Sequence, residues 1–309
     1  MRTEIDFLPP RVRNELELIV EILFQGLRSA TQNATGDRKN GRILKIILFG
    51  SNARGDWIEA PHDANQYRSD YDILVIVNQR ELADRATYWE DTEHRIRDAC
   101  LFEKVIRTPA NFIVHSLQEV NDALAHGQLL FMEIVKYGVV IHQSDDRELR
   151  EPIPKSPTMA LEAAREYFEV WFPSAGEFFD DYRSNSERGR YRKAAFELHQ
   201  ATERLYHCVN SVLTFHTPHD HNLAFLRQQS ERLDERIFHV WPRKRRAERD
   251  MFDKLRNAYV KARYSKHYRI SQEELYWLGQ RVEALGRIVH EICSERIAKL
   301  QIAVEGSKG

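Results

Sequence analysis

KIILFGSNARGDW, residues 45–57, followed by SDYDILVIV, residues 69–77, decides the fold of the first half of the chain. Each contains a short, continuous run of β-branched and aliphatic residues bounded by glycine or polar residues, which predicts a strand buried on both faces. The first run ends in Gly50-Ser51. Glycine lets the main chain approach a phosphate with no Cβ in the way. The N–H groups that follow it, with the Ser51 hydroxyl, suit phosphate oxygens. Arg54 lies one helical turn later, within reach of the same anion. The second run opens with Asp70 and Asp72, two positions apart, and strand alternation points both carboxylates to one side. Two hard oxygen ligands on one face suit Mg²⁺ or Mn²⁺, with substrate phosphates as further ligands. Together these parts can hold a nucleoside triphosphate with its metal.

Around this pair of strands the pattern extends in both directions. Residues 11–32 carry apolar residues at helical spacing behind Pro9-Pro10, and residues 33–41 read as a polar loop. Residues 81–100 predict a helix, NFIVHSL (111–117) a third strand, residues 118–137 a second helix, and GVVIH (138–142) a final strand. SDDRELREPIPKSP (144–157) is charged, holds three prolines and suits a linker. Beyond it strand-like runs vanish, and residues 158–182, 188–216, 222–238, 244–262 and 272–302 predict amphipathic helices. The expected fold class is α+β: a mixed sheet with helices in a domain over 1–145, then an all-α bundle over 155–309. A chain of 309 residues with 42% hydrophobic and 30% charged residues has room for two such cores. A net charge of −1 argues against a whole-molecule polycation. Cys100, Cys208 and Cys293 are far apart and form no CxxC pair, which argues against a zinc knuckle or a disulfide framework. No apolar run approaches a membrane span or a signal peptide, so a cytoplasmic protein with no membrane partner is expected.

Gly-Ser after a strand is ordinarily a turn, and Asp-x-Asp at a strand start is ordinarily solvated or a cap. The ordered combination is specific. LFGSNARGDW…SDYDILVIV resembles the signature of the DNA polymerase beta superfamily, in its minimal nucleotidyltransferase branch, closely over residues 40–80 and loosely over 80–142. The resemblance implies that Ser51 with Gly50 and Arg54 holds the triphosphate of an NTP such as ATP. It implies that Asp70 and Asp72 are the catalytic, metal-binding carboxylates. The family carries a third carboxylate on a later strand, which binds a second metal and helps deprotonate the attacking hydroxyl. Here that strand is NFIVHSL, whose best-placed residue is Asn111, with His115 on the same face; neither is a carboxylate. Glu103 and Glu119 are the nearby acids, and periodicity places neither on the strand face.

The stretches AAFELHQATERLYHCVNSVLTFHTPHDHNLAFLRQQSE (194–231) and FDKLRNAYVKARYSKHYRISQEELYWLGQRVEAL (252–285) resemble the HEPN domain, a helical bundle found beside minimal nucleotidyltransferase domains. Residues 241–269 hold eleven Lys/Arg against three Asp/Glu, interleaved with Trp241, Phe252, Tyr259, Tyr264 and Tyr268. Cations with flat rings suit phosphates and bases, although a charge-rich helix is as often a solvated face. The ARYSKHY stretch, expected as a non-helical loop, looks like the sacsin-type bundle, which implies nucleotide contacts at Lys261, Arg263 and Tyr264, with Lys266 alongside. The resemblance also implies a homodimer through the helical domain. Arg192 and His199 have the spacing of HEPN ribonuclease motifs, but stand too early in the domain. His219-Asp220-His221 reads as turn and cap residues rather than metal ligands, and His199, Glu203 and His207 as buried packing.

These features support an enzyme that moves an NMP from an NTP to a hydroxyl of an unidentified acceptor (small molecule, protein or RNA). The alternatives are a catalytically weakened nucleotide-binding regulator, and a HEPN ribonuclease toxin fused to its nucleotidyltransferase antitoxin.

Overall fold

A computed structural model of the protein describes residues 2–3, 5–55, 70–218 and 221–307. The chain divides into two compact units, Met1–Pro154 and Lys155–Gly309. The first runs α1 (Pro10–Thr31), β1 (Ile43–Phe49), α2 (Gly50–Arg54), β2 (Tyr71–Val77), α3 (Arg85–Tyr88), α4 (Glu90–Leu101), β3 (Ala110–Ser116), α5 (Leu117–Ala125), α6 (Leu129–Tyr137) and β4 (Val139–Gln143). The strands form one mixed sheet in the order β3-β2-β1-β4. β1 runs antiparallel to β2 and β4, while β2 and β3 are parallel. A parallel pair needs a crossover, and α3 and α4 supply it.

The continuous apolar runs are explained by this order. β1 and β2 are the two central strands, and every residue of both is buried. On one face Leu16, Ile19 and Leu23 of α1 and Ile96 of α4 pack on Ile46, Leu48, Ile73 and Val75. On the other, Val120 and Leu124 of α5 and Phe131 and Ile134 of α6 pack on Ile47, Phe49, Leu74 and Ile76. Each such side chain contributes about 1.5–3 kcal/mol when fully buried. The edge strand β3 instead alternates buried and half-buried residues. A buried carboxylate, Glu15 of α1, accepts hydrogen bonds from Tyr71 Oη at 2.9 Å and Arg11 at 2.8 Å, tying α1 to the start of β2.

Two expected helices of this unit are interrupted, and in the second unit the expected helix 222–238 divides at Asp234. Residues 81–100 divide into a 3₁₀ turn at Arg80–Ala83, the short α3, and α4. The stretch 118–137 breaks at Gly127, whose φ of +62° glycine tolerates. α5 begins on a capping box in which Ser116 and Glu119 satisfy each other's main-chain N–H groups.

The second unit contains α7 (Pro157–Glu187), α8 (Tyr191–Thr214), α9 (Leu223–Leu233), α10 (Glu235–Phe238), α11 (Arg246–Tyr264) and α12 (Gln272–Gly306). α8 is its spine, buried along nearly its whole length because α7, α9, α11 and α12 all pack on it. Buried Trp241 donates its indole N–H to Tyr206 Oη at 2.8 Å. The free thiols Cys208 of α8 and Cys293 of α12 are buried with their sulfurs 3.9 Å apart, whereas Cys100 on α4 is partly exposed. α11 continues through Ala262, Arg263 and Tyr264, so the expected ARYSKHY loop begins only at Ser265. Among the described residues, no helix is long and apolar enough to cross a membrane.

Candidate functional site

The first candidate site lies at the end of the sheet where β1 passes into α2. Gly50 has a φ of +74°, a left-handed conformation that returns the chain sharply into the single helical turn of α2. β1–β2 pairing sets Phe49 opposite Asp72, so the Asp72 carboxylate meets Gly50 directly. A Cβ on Gly50 would collide with Asp72 Oδ2. Glycine is therefore required here both by its backbone angle and by the buried acid against it.

Asp72 is 2% exposed, while Asp70, just ahead of β2, is partly exposed. By alternation both share the face of Leu74 and Ile76, under α5 and α6. The parallel register places Asn111 beside Asp72, and the Asn111 amide donates to Asp70 Oδ2 at 3.5 Å. The position expected to carry a third acid thus holds an amide in contact with the carboxylate pair. His115 is on the same face, in register with Ile76, but its ring packs on Phe131. Glu119 caps α5, and Glu103 lines a separate cavity between α1 and α4.

One positioning residue was not foreseen. Asn52, 4% exposed, donates its amide to the main-chain oxygen of Asp70 at 2.8 Å, fastening α2 to the start of β2. The Arg2 guanidinium holds the other side of this turn through the Ala53 and Tyr137 carbonyls, at 2.6 and 3.0 Å. Ser51 is partly exposed and Arg54 exposed at the end of α2. Two carboxylates on one face beside a residue without a side chain form a donor set that fits a hard divalent cation with positions left open. The remainder of the expected motif, residues 56–69, lies outside the described residues.

The second candidate surface is on α8 and α11. Arg263 is held by rings rather than by a carboxylate. Its guanidinium lies 4.4 Å from the Tyr259 ring centroid and 5.0 Å from those of Phe196 and Tyr264, and Nε donates to Tyr259 O at 2.6 Å. Tyr264 is 76% exposed, and Lys261 and Lys266 are exposed beside it. Several cations of the basic stretch are engaged elsewhere: Lys254 with Glu274, Arg256 with Asp253, Arg243 with Glu231.

Arg192 and His199 do not form a catalytic pair. The Arg192 guanidinium donates to Ala262 O, and His199 Nδ1 to Leu255 O at 3.1 Å, so both bind α8 to the main chain of α11. His199 and His207 flank Glu203 on one face of α8, at 3.6 and 3.8 Å, and all three are buried. His221 completes the cluster, with Nδ1 3.0 Å from Glu203 and its ring stacked on Tyr259. Burial alone would raise the Glu203 pKa, but the three imidazoles turned toward its carboxylate, with His221 at hydrogen-bond distance, hold it well below its usual range. His219 and Asp220 lie outside the described residues. Among the described residues, no group of three or more His, Cys, Asp or Glu is arranged to hold a metal ion.

Compared with known families, residues 168–292 match the HEPN domain, from within α7 into α12. The match does not extend to the sheet unit. No curated protein matches the chain.

Proposed function

Taking residues 168–292 as a HEPN domain, which points to a nucleotide- or RNA-related role, we propose that the chain is a nucleotidyltransferase. It moves an NMP from an NTP to a hydroxyl acceptor, and its helical unit adds contacts to nucleotide or acceptor. The observation that carries this reading is the convergence of Gly50, Asp70 and Asp72 at one end of the sheet. The N–H groups after Gly50, with Ser51 and Arg54, bind the triphosphate. Asp70 and Asp72 would hold Mg²⁺ or Mn²⁺, which supplies charge neutralisation at the phosphates. Asn52 keeps Asp70 in place relative to the phosphate-binding turn. Arg263 and Tyr264 offer a flat, cationic surface to a base or a phosphate, with Lys261 beside them. In the transfer the acceptor oxygen bonds to the α-phosphorus as the bond to the leaving pyrophosphate breaks, and the hydroxyl proton passes to solvent.

The protein is incubated with α-labelled NTPs, Mg²⁺ or Mn²⁺ and a cell extract. Label should enter a product with wild type and not with Asp70→Ala or Asp72→Ala. Nucleotide binding with no transfer under any metal would sink the enzyme reading. One observation favours that second outcome, a nucleotide-binding regulator: the Asn111 amide stands where a general base would be needed, and an amide accepts no proton at neutral pH.

A further inference from the structure

We infer that Cys208 and Cys293 form a redox clamp within the helical unit: a peroxide converts the pair to a disulfide that ties α8 to α12. Two of the three cysteines of the chain meet here, although they stand 85 positions apart in sequence. Both are 0% exposed, and their sulfurs are in contact at 3.9 Å. Two small apolar side chains would fill this layer as well, but only two thiols can be joined across it. A disulfide holds its sulfurs at about 2.05 Å. The remaining gap of about 1.9 Å closes as rotation about each Cα–Cβ bond swings its sulfur toward the other.

Burial decides when the reaction takes place. The thiolate, not the thiol, attacks an oxidant. The hydrogen bond between the two sulfurs and burial together push the Cys208 thiol up, so the closed unit is inert. When α8 and α12 part, one thiol ionises and its sulfur bonds to a peroxide oxygen. The O–O bond breaks, the departing oxygen takes a proton and leaves as water, and a sulfenic acid remains. As the helices return, the second sulfur bonds to the sulfenic sulfur, the S–O bond breaks, and a second water leaves. Two thiols have then given two electrons to one peroxide.

The product closes a long loop of chain, so it restricts the unfolded state far more than the folded one. It also fastens α12 to the helix on which α7, α9 and α11 pack. An oxidised helical unit therefore stays shut, and a dithiol reductant releases it by exchange. Cys100 is the sole cysteine of Met1–Pro154 and has no second thiol of its own unit to join. It serves as the internal control.

The full-length chain is treated with hydrogen peroxide over a range of urea concentrations below its unfolding transition. Remaining thiols are alkylated, and the chain is digested without reduction and weighed as peptides. The Cys208 and Cys293 peptides should be recovered joined, the more so as urea rises, and should separate with dithiothreitol. The urea midpoint of the helical unit should rise by about 1–2 M in the joined chain. Cys208→Ser and Cys293→Ala should give neither the link nor the rise. Recovery of Cys208 and Cys293 as separate thiols or separate sulfinic acids, at every urea concentration and at a peroxide dose that oxidises Cys100, would overturn the inference even if neither variant folds. So would a link that forms only between two chains, or a joined chain whose midpoint does not rise.

Discussion

Gly50→Ala is the sharpest perturbation of the sheet unit, because its two costs can be separated. An L-residue at a φ of +74° costs about 1–2 kcal/mol relative to glycine. The new Cβ also collides with Asp72, which cannot retreat as a whole because β2 is paired with β1 on one side and β3 on the other. Its side chain must leave its preferred rotamer, adding about 0.5–1.5 kcal/mol. The sum is about 1.5–3.5 kcal/mol. Gly36 supplies the control: its φ is +65°, but a Cβ there meets nothing within 4 Å. Gly36→Ala should therefore show the backbone cost alone. Hydrogen exchange over residues 71–77 is the assay. At a factor of ten per 1.4 kcal/mol, protection should fall roughly 10- to 300-fold for Gly50→Ala and roughly 5- to 30-fold for Gly36→Ala, whose loss is the smaller of the two. Equal losses in the two variants would mean that the Gly50–Asp72 contact carries no energy. Mn²⁺ binding should also be lost in Gly50→Ala and kept in Gly36→Ala.

Other perturbations test the remaining parts. Asn52→Ala should cost about 1–2 kcal/mol by freeing the Asp70 carbonyl, and should weaken nucleotide binding; unchanged affinity would remove its positioning role. Tyr206→Phe leaves the buried Trp241 N–H without its acceptor and should lower the urea stability of the helical unit by about 1–3 kcal/mol. Glu203→Gln tests linkage. Because the folded-state pKa of Glu203 is depressed, its stabilising contribution is complete above the unfolded carboxylate value of about 4.3 and is lost as pH falls below it. The stability gap between wild type and Glu203→Gln should therefore narrow in urea titrations below about pH 4; a gap that widens there contradicts the assignment. Arg263→Ala, on an exposed side chain, should change stability by less than about 0.5 kcal/mol while weakening affinity for ATP or a short RNA by about 1–3 kcal/mol.

The strands were legible because their signal is local. Residues 43–49 and 71–77 are apolar throughout, which only central strands require, and the half-buried alternation of β3 marks an edge. The long helices were legible from periodicity for the same reason. Their exact limits were not: the break at Gly127 is a single left-handed residue inside a periodic stretch, and the continuation of α11 to Tyr264 is accompanied by the packing of Arg263 on the distant Phe196. Within the candidate site, Asp70 and Asp72 share a face by alternation alone. The contact of Gly50 with Asp72, the reach of Asn52 to the Asp70 carbonyl and the touch of Asn111 on Asp70 all follow from strand register, which no single segment contains. The Glu203 cluster shows the same division. His199 and His207 are visible at helical spacing, but His221 arrives from the segment ahead of α9.

The placement of the three thiols gives each unit its own clock. Cys208 and Cys293 are sealed between α8 and α12, so a maleimide reaches them only when those helices separate. Cys100 sits half-covered on α4 and answers to smaller excursions of the sheet unit. Timed alkylation of the unmodified protein, followed by mass analysis of the two regions, would thus record two opening rates in one sample. A ligand that steadies only one unit would slow only its clock.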